Sequence, residues 1–202
     1  MPDNYFDCFL YENGGPKDQH IYPFDGYQKV LDAIRTRINI KEGMEILDIG
    51  IGGGMLSYPL YCKGANITGI DSNDEMLEGA NKVMHRATLI KHDIRNALPE
   101  ALFGKLFDNI ISSYALHHLP DGEKTVLLKT LISMGPKTGE ILIADVSFET
   151  RADMEKIREE AGDYWDSDEF YIIADEYLPE LERQGLSPTY KQISSCAGVL
   201  AI

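Results

Sequence analysis

Residues 45–54 read Glu-Ile-Leu-Asp-Ile-Gly-Ile-Gly-Gly-Gly. An apolar run ends in a carboxylate, Asp48, and passes into glycines that open a helical stretch. This is the turn at which a parallel strand hands over to its crossover helix, and in an open α/β sheet ligands lie beyond such strand ends. Glycines there adopt unusual backbone angles and let a ligand approach the chain without meeting a Cβ.

Outward from this turn, β-rich runs recur at Glu45–Gly50, Asn66–Asp71, Thr88–Asp93, Phe107–Ser113 and Glu140–Val146. The stretches between them are helical in pattern, which is the rhythm of βαβ units. Consecutive apolar pairs such as Ile46-Leu47 and Ile110-Ile111 suit strands covered by helices on both faces. Ser72 with Glu75 reads as a capping box opening a helix to about Arg86. A helix over Met55–Cys62 closes at Gly64, and one from Asp121 stops at Gly135-Pro136. Phe24, Tyr27, Val30, Leu31, Ile34 and Ile38 recur at helical spacing, and Phe24 and Tyr27 read as core residues of that first helix. Arg151–Gly162 and Asp168–Gln184 also read as helices, with Pro179 starting a fresh turn. Pro188–Ser195 and Cys196–Ile202 leave no room for a crossover and predict a closing antiparallel hairpin.

The chain has 202 residues, enough for one domain with its own core, here divided into an N-terminal lid and helix (1–40) and a sheet-bearing core (41–202). Thirty-three acids against 19 Lys and Arg leave a net charge of −14, which repels phosphate backbones and anionic lipid. Nucleic acid and membrane are therefore excluded as expected partners, and oligomeric state is left open. Three scattered cysteines, Cys8, Cys62 and Cys196, suggest neither a disulfide framework nor a metal knuckle. With no apolar run of spanning length and no signal-peptide pattern at the start, a cytoplasmic protein is expected.

The glycine turn has two functional readings. A dinucleotide fingerprint needs a third glycine where Met55 stands, so the G-x-G-x-x-G spacing fails from Gly50. The order is instead Asp48-x-Gly50-x-Gly52-x-Gly54. Asp48 would repel a pyrophosphate and attract a ligand carrying an ammonium and a sulfonium, which favours S-adenosylmethionine. Two further strands end in acids. Asp71 can accept from a ribose diol, and Asp93 can accept from an adenine amino group while Ile94 packs on the ring.

This constellation resembles the class I S-adenosylmethionine-dependent methyltransferases from about Tyr22 to Ile202. Phe24-Asp25-Gly26-Tyr27, Tyr114-Ala115-Leu116-His117-His118-Leu119 and Ala144-Asp145 before Phe148-Glu149 are similar to the small YrrT-like group of bacterial methyltransferases. The resemblance implies a Rossmann-like, doubly wound seven-stranded sheet in the order 3-2-1-4-5-7-6, with strand 7 antiparallel. It also implies a cofactor, S-adenosylmethionine, leaving as S-adenosylhomocysteine. Its contacts would be Asp48, Gly50, Gly52 and Gly54 at the methionine portion, Asp71 at the ribose and Asp93 with Ile94 at the adenine. Ser72, Met76, Ser113 and Tyr114 are further candidate cofactor contacts.

Methyl transfer from a sulfonium is an in-line displacement, which needs a base only if the acceptor carries a proton. His117 and His118 are the candidate bases; alternatively one of them caps the loop or packs beneath it. Tyr5, Tyr11 and Tyr27, with His117, are candidate contacts to a small neutral or cationic acceptor, and the Tyr5–Tyr11 stretch is a candidate lid. The acidic stretch Asp163–Glu176, with Tyr164, Trp165 and Tyr171, reads as a solvated face or a flank of the pocket. No histidine pair has metal-ligand spacing, and adjacent side chains usually diverge, so no metal is expected. A binding protein that senses the cofactor, or an NAD-type dehydrogenase, are the alternatives to an S-adenosylmethionine-dependent methyltransferase.

Overall fold

The computed structural model describes residues 22–135 and 139–202. The expectations for Tyr5 and Tyr11, and for a lid over Tyr5–Tyr11, lie outside these residues.

After α1 (Tyr27–Arg37) come five strands, with an α-helix between each successive pair except β3 and β4: β1 (Glu45–Ile49), α2 (Tyr58–Cys62), β2 (Asn66–Asp71), α3 (Asp74–Val83), β3 (Thr88–Lys91), β4 (Asn109–Ser113), α4 (Asp121–Ser133) and β5 (Ile141–Phe148). The chain continues through α5 (Arg151–Ala161), β6 (Ile172–Ile173), α6 (Ala174–Arg183), β7 (Thr189–Gln192) and β8 (Ala197–Ala201). The sheet order is β3-β2-β1-β4-β5-β8-β7, and β6 pairs beside β5 off this path. Strands β1 to β5 are mutually parallel, whereas β8 runs antiparallel to both β5 and β7. This is the expected Rossmann-like order, with one short strand added.

Strand pleating explains the consecutive apolar pairs. Ile46, Ile111, Leu142 and Ala144 face α1 residues Val30, Leu31 and Ile34 and the α2 residue Leu60. Their neighbours Leu47, Ile110, Ile141 and Ile143 face α4 residues Leu128 and Leu131 and α6 residues Tyr177 and Leu181. Successive side chains point to opposite sides, so a strand with helices on both faces must be apolar throughout.

Four local expectations change. Asn73, not Ser72, caps α3, because its side chain accepts from the amides of Glu75 and Met76, and the helix stops at Val83 rather than Arg86. Helix α2 starts only at Tyr58; Pro59 falls in its first turn, the one place its missing amide costs nothing. Residues 168–173 are not helical: buried Ile172 and Ile173 pair with Ser147 and Phe148, where β5 outruns β4 and would otherwise leave an open edge. Pro179 sits inside α6 rather than starting a turn, and burial of Tyr177 and Leu181 holds the helix across the missing bond.

The overrunning end of β5 carries a satellite core of Val146, Phe148, Met154, Tyr171 and Ile173, joined by Tyr22 and Cys196. Phe148, fully buried, packs edge-on to Tyr171 at 6.1 Å. We predict that Phe148→Ala destabilises the protein by about 3–5 kcal/mol, read as a lower urea midpoint with unchanged slope.

Candidate functional site

The loops after β1, β2, β3 and β4 open on one cleft of about 780 Å³. β1 lies between β2 and β4, so chains leaving its two neighbours diverge to opposite faces and leave a crevice at the strand ends.

The glycine loop forms the floor. Gly50 and Gly52 have φ of 72° and 53°, in the left-handed region. A Cβ on Gly50 would collide with the side chain of Ala115, whereas one on Gly52 would stand in open space. Gly50, Ile51, Gly52 and Gly53 all line the cleft. Gly54 does not; it faces the Met84 side chain at the end of α3, so it serves helix packing. Arg35 of α1 ties down the exit of the loop, donating to the Met55 carbonyl at 2.5 Å.

Asp48 and Asp71 have different positions. Asp48 is fully buried beneath the loop and accepts from Ser57 Oγ at 2.6 Å, while its Oδ1 has no partner. Asp71 lines the cleft, with its carboxylate set by the amides of Gly52 (2.8 Å) and Asn73 (2.9 Å). Ser72 and Met76 share that wall. Beyond β3, Asp93 and Ile94 reach the cleft, and Arg95 pairs with Asp93 through Nη2 at 2.6 Å. That guanidinium holds the Asp93 carboxyl down to about 2. His92, with its Nε2 buried and unpartnered, lies between the two acids on the wall; sequence reading passed over it, as it did Arg95, Gly53 and Asn73.

The opposite wall is aromatic. Tyr114, at φ 50°, is the non-glycine residue in the left-handed region among those described, a strained placement of the kind that clusters at functional sites. Its ring centroid lies 5.0 Å from Tyr27 and 5.8 Å from Phe24, and all three rings line the cleft with Ser113. The expectation of a core residue of the first helix is thus corrected for Phe24, while Tyr27 keeps its place in that helix and against the core and also lines the cleft. Phe24 precedes α1, and Tyr27 opens it facing both core and cleft. The Tyr114 hydroxyl is buried without a partner, and burial raises its pKa. Burial likewise pushes Tyr27 up to about 12.

The two histidines separate by depth. His117 is buried, and its Nδ1 lies 2.6 Å from Asp145 Oδ1. Burial disfavours its charged form, but the fields of Asp145 and Glu169 and the hydrogen bond to Asp145 outweigh this and raise its pKa. His118 is on the cleft wall, with a pKa lowered first by desolvation and then by His117. Their rings do not diverge: the centroids are 4.2 Å apart. From the acidic stretch, Asp168 reaches the cleft, Glu169 stands beside His117, and Trp165 and Tyr171 pack into the satellite core. Asp145 entered the sequence reading only as part of a family-like run, because its partners are brought to it from the loop after β4.

A family model described as a methyltransferase domain matches residues 40–185. The chain belongs to this methyltransferase family. It is 28% identical over 166 residues to an uncharacterized methyltransferase of Staphylococcus carnosus, covering 82% of this chain and 74% of that one. Against an uncharacterized methyltransferase of Geobacillus kaustophilus it is 27% identical, with 92% and 87% covered. Among solved structures, the DhpI–SAM–HEP complex shares the fold of this methyltransferase with a TM-score of 0.68 at 15% identity, covering 100% and 98% of the two chains.

Within the methyltransferase, the unpartnered Asp48 oxygen has a measurable consequence. Burial, and secondarily the charge of Asp71, pushes its carboxyl from its ordinary value of 3.8 up to about 7. The folded state then binds a proton that the unfolded chain has lost, so stability declines as pH rises between these values and the full penalty applies above them. We predict that Asp48→Asn raises the thermal midpoint of the ligand-free protein at pH 8 and leaves it nearly unchanged at pH 4, checked by calorimetric melts across that range.

Proposed function

We propose that the chain binds S-adenosylmethionine in this cleft and transfers its methyl, by in-line displacement, to a small neutral or cationic acceptor. The observation that carries the reading is the convergence on one cavity of the glycine loop, the acids after β2 and β3 and the aromatic wall after β4. The fold neighbour being a complex with SAM supports the choice of cofactor.

The residues fit such a group. The open space over Gly52 admits a ligand against the backbone, and Asp71, already oriented by two amides, has lone pairs left for a ribose diol. Ile94 and Met76 offer apolar cover for an adenine, with Asp93 as acceptor for its amino group once Arg95 shares that carboxylate. The buried Asp48 supports the methionine end through its charge rather than by direct contact, since it lies off the wall. Gly54 holds the loop against α3. Bound there, the cofactor supplies an electrophilic methyl carbon on a sulfonium.

The remaining side chains act on the acceptor. Phe24, Tyr27 and Tyr114 present ring faces that attract a cation and keep water away. His118, neutral by its lowered pKa and exposed to the cleft, suits the removal of a proton from an acceptor hydroxyl, thiol or amine. His117 lies too deep to meet the acceptor first and positions its neighbour. The acids on the wall and the net charge of −14 favour a neutral or cationic acceptor over a polyanion. Free Cys62 and Cys196 suit a reducing, cytoplasmic setting.

Calorimetry with S-adenosylmethionine, S-adenosylhomocysteine and NADH tests the cofactor, and preferential binding of NADH overturns the reading. We predict that Asp71→Asn weakens S-adenosylhomocysteine by ~10-fold or more, the size of a lost charged hydrogen bond. With an acceptor found in a metabolite panel, His118→Ala should lower turnover while cofactor affinity stays near wild type. Unchanged turnover would remove His118 from the chemistry.

A further inference from the structure

We propose that His117, His118 and Glu169 form a binding site for a divalent transition-metal ion of the zinc class, at the rim of the cleft. One ligand atom from each lies within 4.8 Å of the others.

The case begins with the two nitrogens of His117. Nδ1 is committed to Asp145 at 2.6 Å, and donating its proton there leaves a lone pair on Nε2. That lone pair faces Glu169 Oε1 at 3.4 Å, with both side chains largely shielded from water. Two electron-rich atoms held face to face in this way call for a cation between or beside them. A proton on Nε2 would answer the charge but not the distance, because hydrogen bonds between nitrogen and oxygen close to about 2.7–3.2 Å. A tetrahedral ion with bonds of about 2.0–2.1 Å separates its ligand atoms by about 3.4 Å, which matches.

Both of these ligands are held from behind, as metal ligands usually are. Asp145 orients the His117 ring, and the Tyr171 hydroxyl donates to Glu169 Oε2 at 2.8 Å, leaving Oε1 to face the site. The backbone locks the two segments together: Phe170 N donates to the His117 carbonyl at 2.7 Å, and the buried Lys124 amine donates to the Phe170 carbonyl at 2.6 Å. His118 is exposed on the cleft wall, with its ring centroid 4.2 Å from that of His117. Two imidazoles and a carboxylate with one position left open form a donor set of the kind used in catalytic zinc sites. His118 also lines the cleft, so an ion held there would occupy the lone pair that metal-free His118 uses as a base, and the open position would instead bind and acidify a hydroxyl or thiol of an acceptor; that last point alone rests on the methyltransferase reading.

Ligand spacing along the chain gave no hint of this site, since two ligands are adjacent and the third arrives from a loop far downstream. The test uses the full, tag-free chain stripped by a chelator and titrated with Co(II), whose tetrahedral complexes absorb in the visible, followed by displacement with Zn(II). We expect one equivalent per chain in the wild type. Glu169→Gln and His118→Ala should each weaken it by ~10-fold or more. Glu169→Gln keeps an oxygen for Tyr171, and His118 is on the surface, so melts should confirm that both variants fold. Absence of the band, or equal binding by wild type and both variants, overturns the site and leaves His117 as a protonated imidazole between two carboxylates. S-adenosylhomocysteine calorimetry on the stripped protein reports separately, so failure of the metal site and failure of the methyltransferase reading are distinct results.

Discussion

One buried carboxylate, Asp145, organises the active end of the sheet. It stands on β5 just past the last residue paired with β4, about 1% exposed, and accepts from the amides of Leu116, His117 and Val146 as well as from the His117 ring. A buried charge is costly unless it is fully hydrogen-bonded, and four donors meet that requirement here. Those donors belong mostly to the loop after β4, so satisfying Asp145 also fixes the turn that carries Tyr114, His117 and His118. The strained backbone of Tyr114 persists because this loop is held on both sides, by Asp145 and by the aromatic packing of Phe24 and Tyr27.

The acids of the cleft form a graded set. Asp48 is buried with an unpartnered oxygen, Asp71 is oriented by amides at the wall, and Asp93 is paired with Arg95 near the solvent. Burial raises the Asp48 carboxyl by desolvation, whereas Asp93 is lowered by its guanidinium. Part of the acidic excess is therefore a property of the site.

The segment after α5 connects this chemistry to the satellite core. Trp165 stacks on Tyr22 at 4.9 Å, and Tyr171 and Ile173 are buried against Phe148, while Asp168 and Glu169 between them are turned toward the cleft and His117. Anchoring the apolar residues on β5 positions the acids. Lys124, buried to its amine, joins the same segment to α4 through Asp121 and the Phe170 carbonyl. An acidic run that reads in sequence as a solvated face is in this way divided between packing and site.

The strand rhythm, the glycine turn after Glu45–Ile49 and the closing hairpin were legible in sequence, because pleat periodicity and glycine's conformational freedom are local properties. They sufficed for a parallel sheet, the position of the cleft and the acids at its edge, with Asp71, Asp93 and Ile94 on its wall, while the strand order was implied by the family resemblance. What needed the tertiary structure was every feature made by residues distant in the chain. Spacing cannot show that Asp48 lies under the loop while Asp71 lies on its wall, nor that Gly54 packs on Met84. It cannot bring Asp145 and Glu169 to opposite sides of one imidazole, because that meeting depends on β5 outrunning β4 and on β6 closing the exposed edge. Local propensity decided the architecture, and long-range satisfaction of buried charge decided the chemistry at its rim.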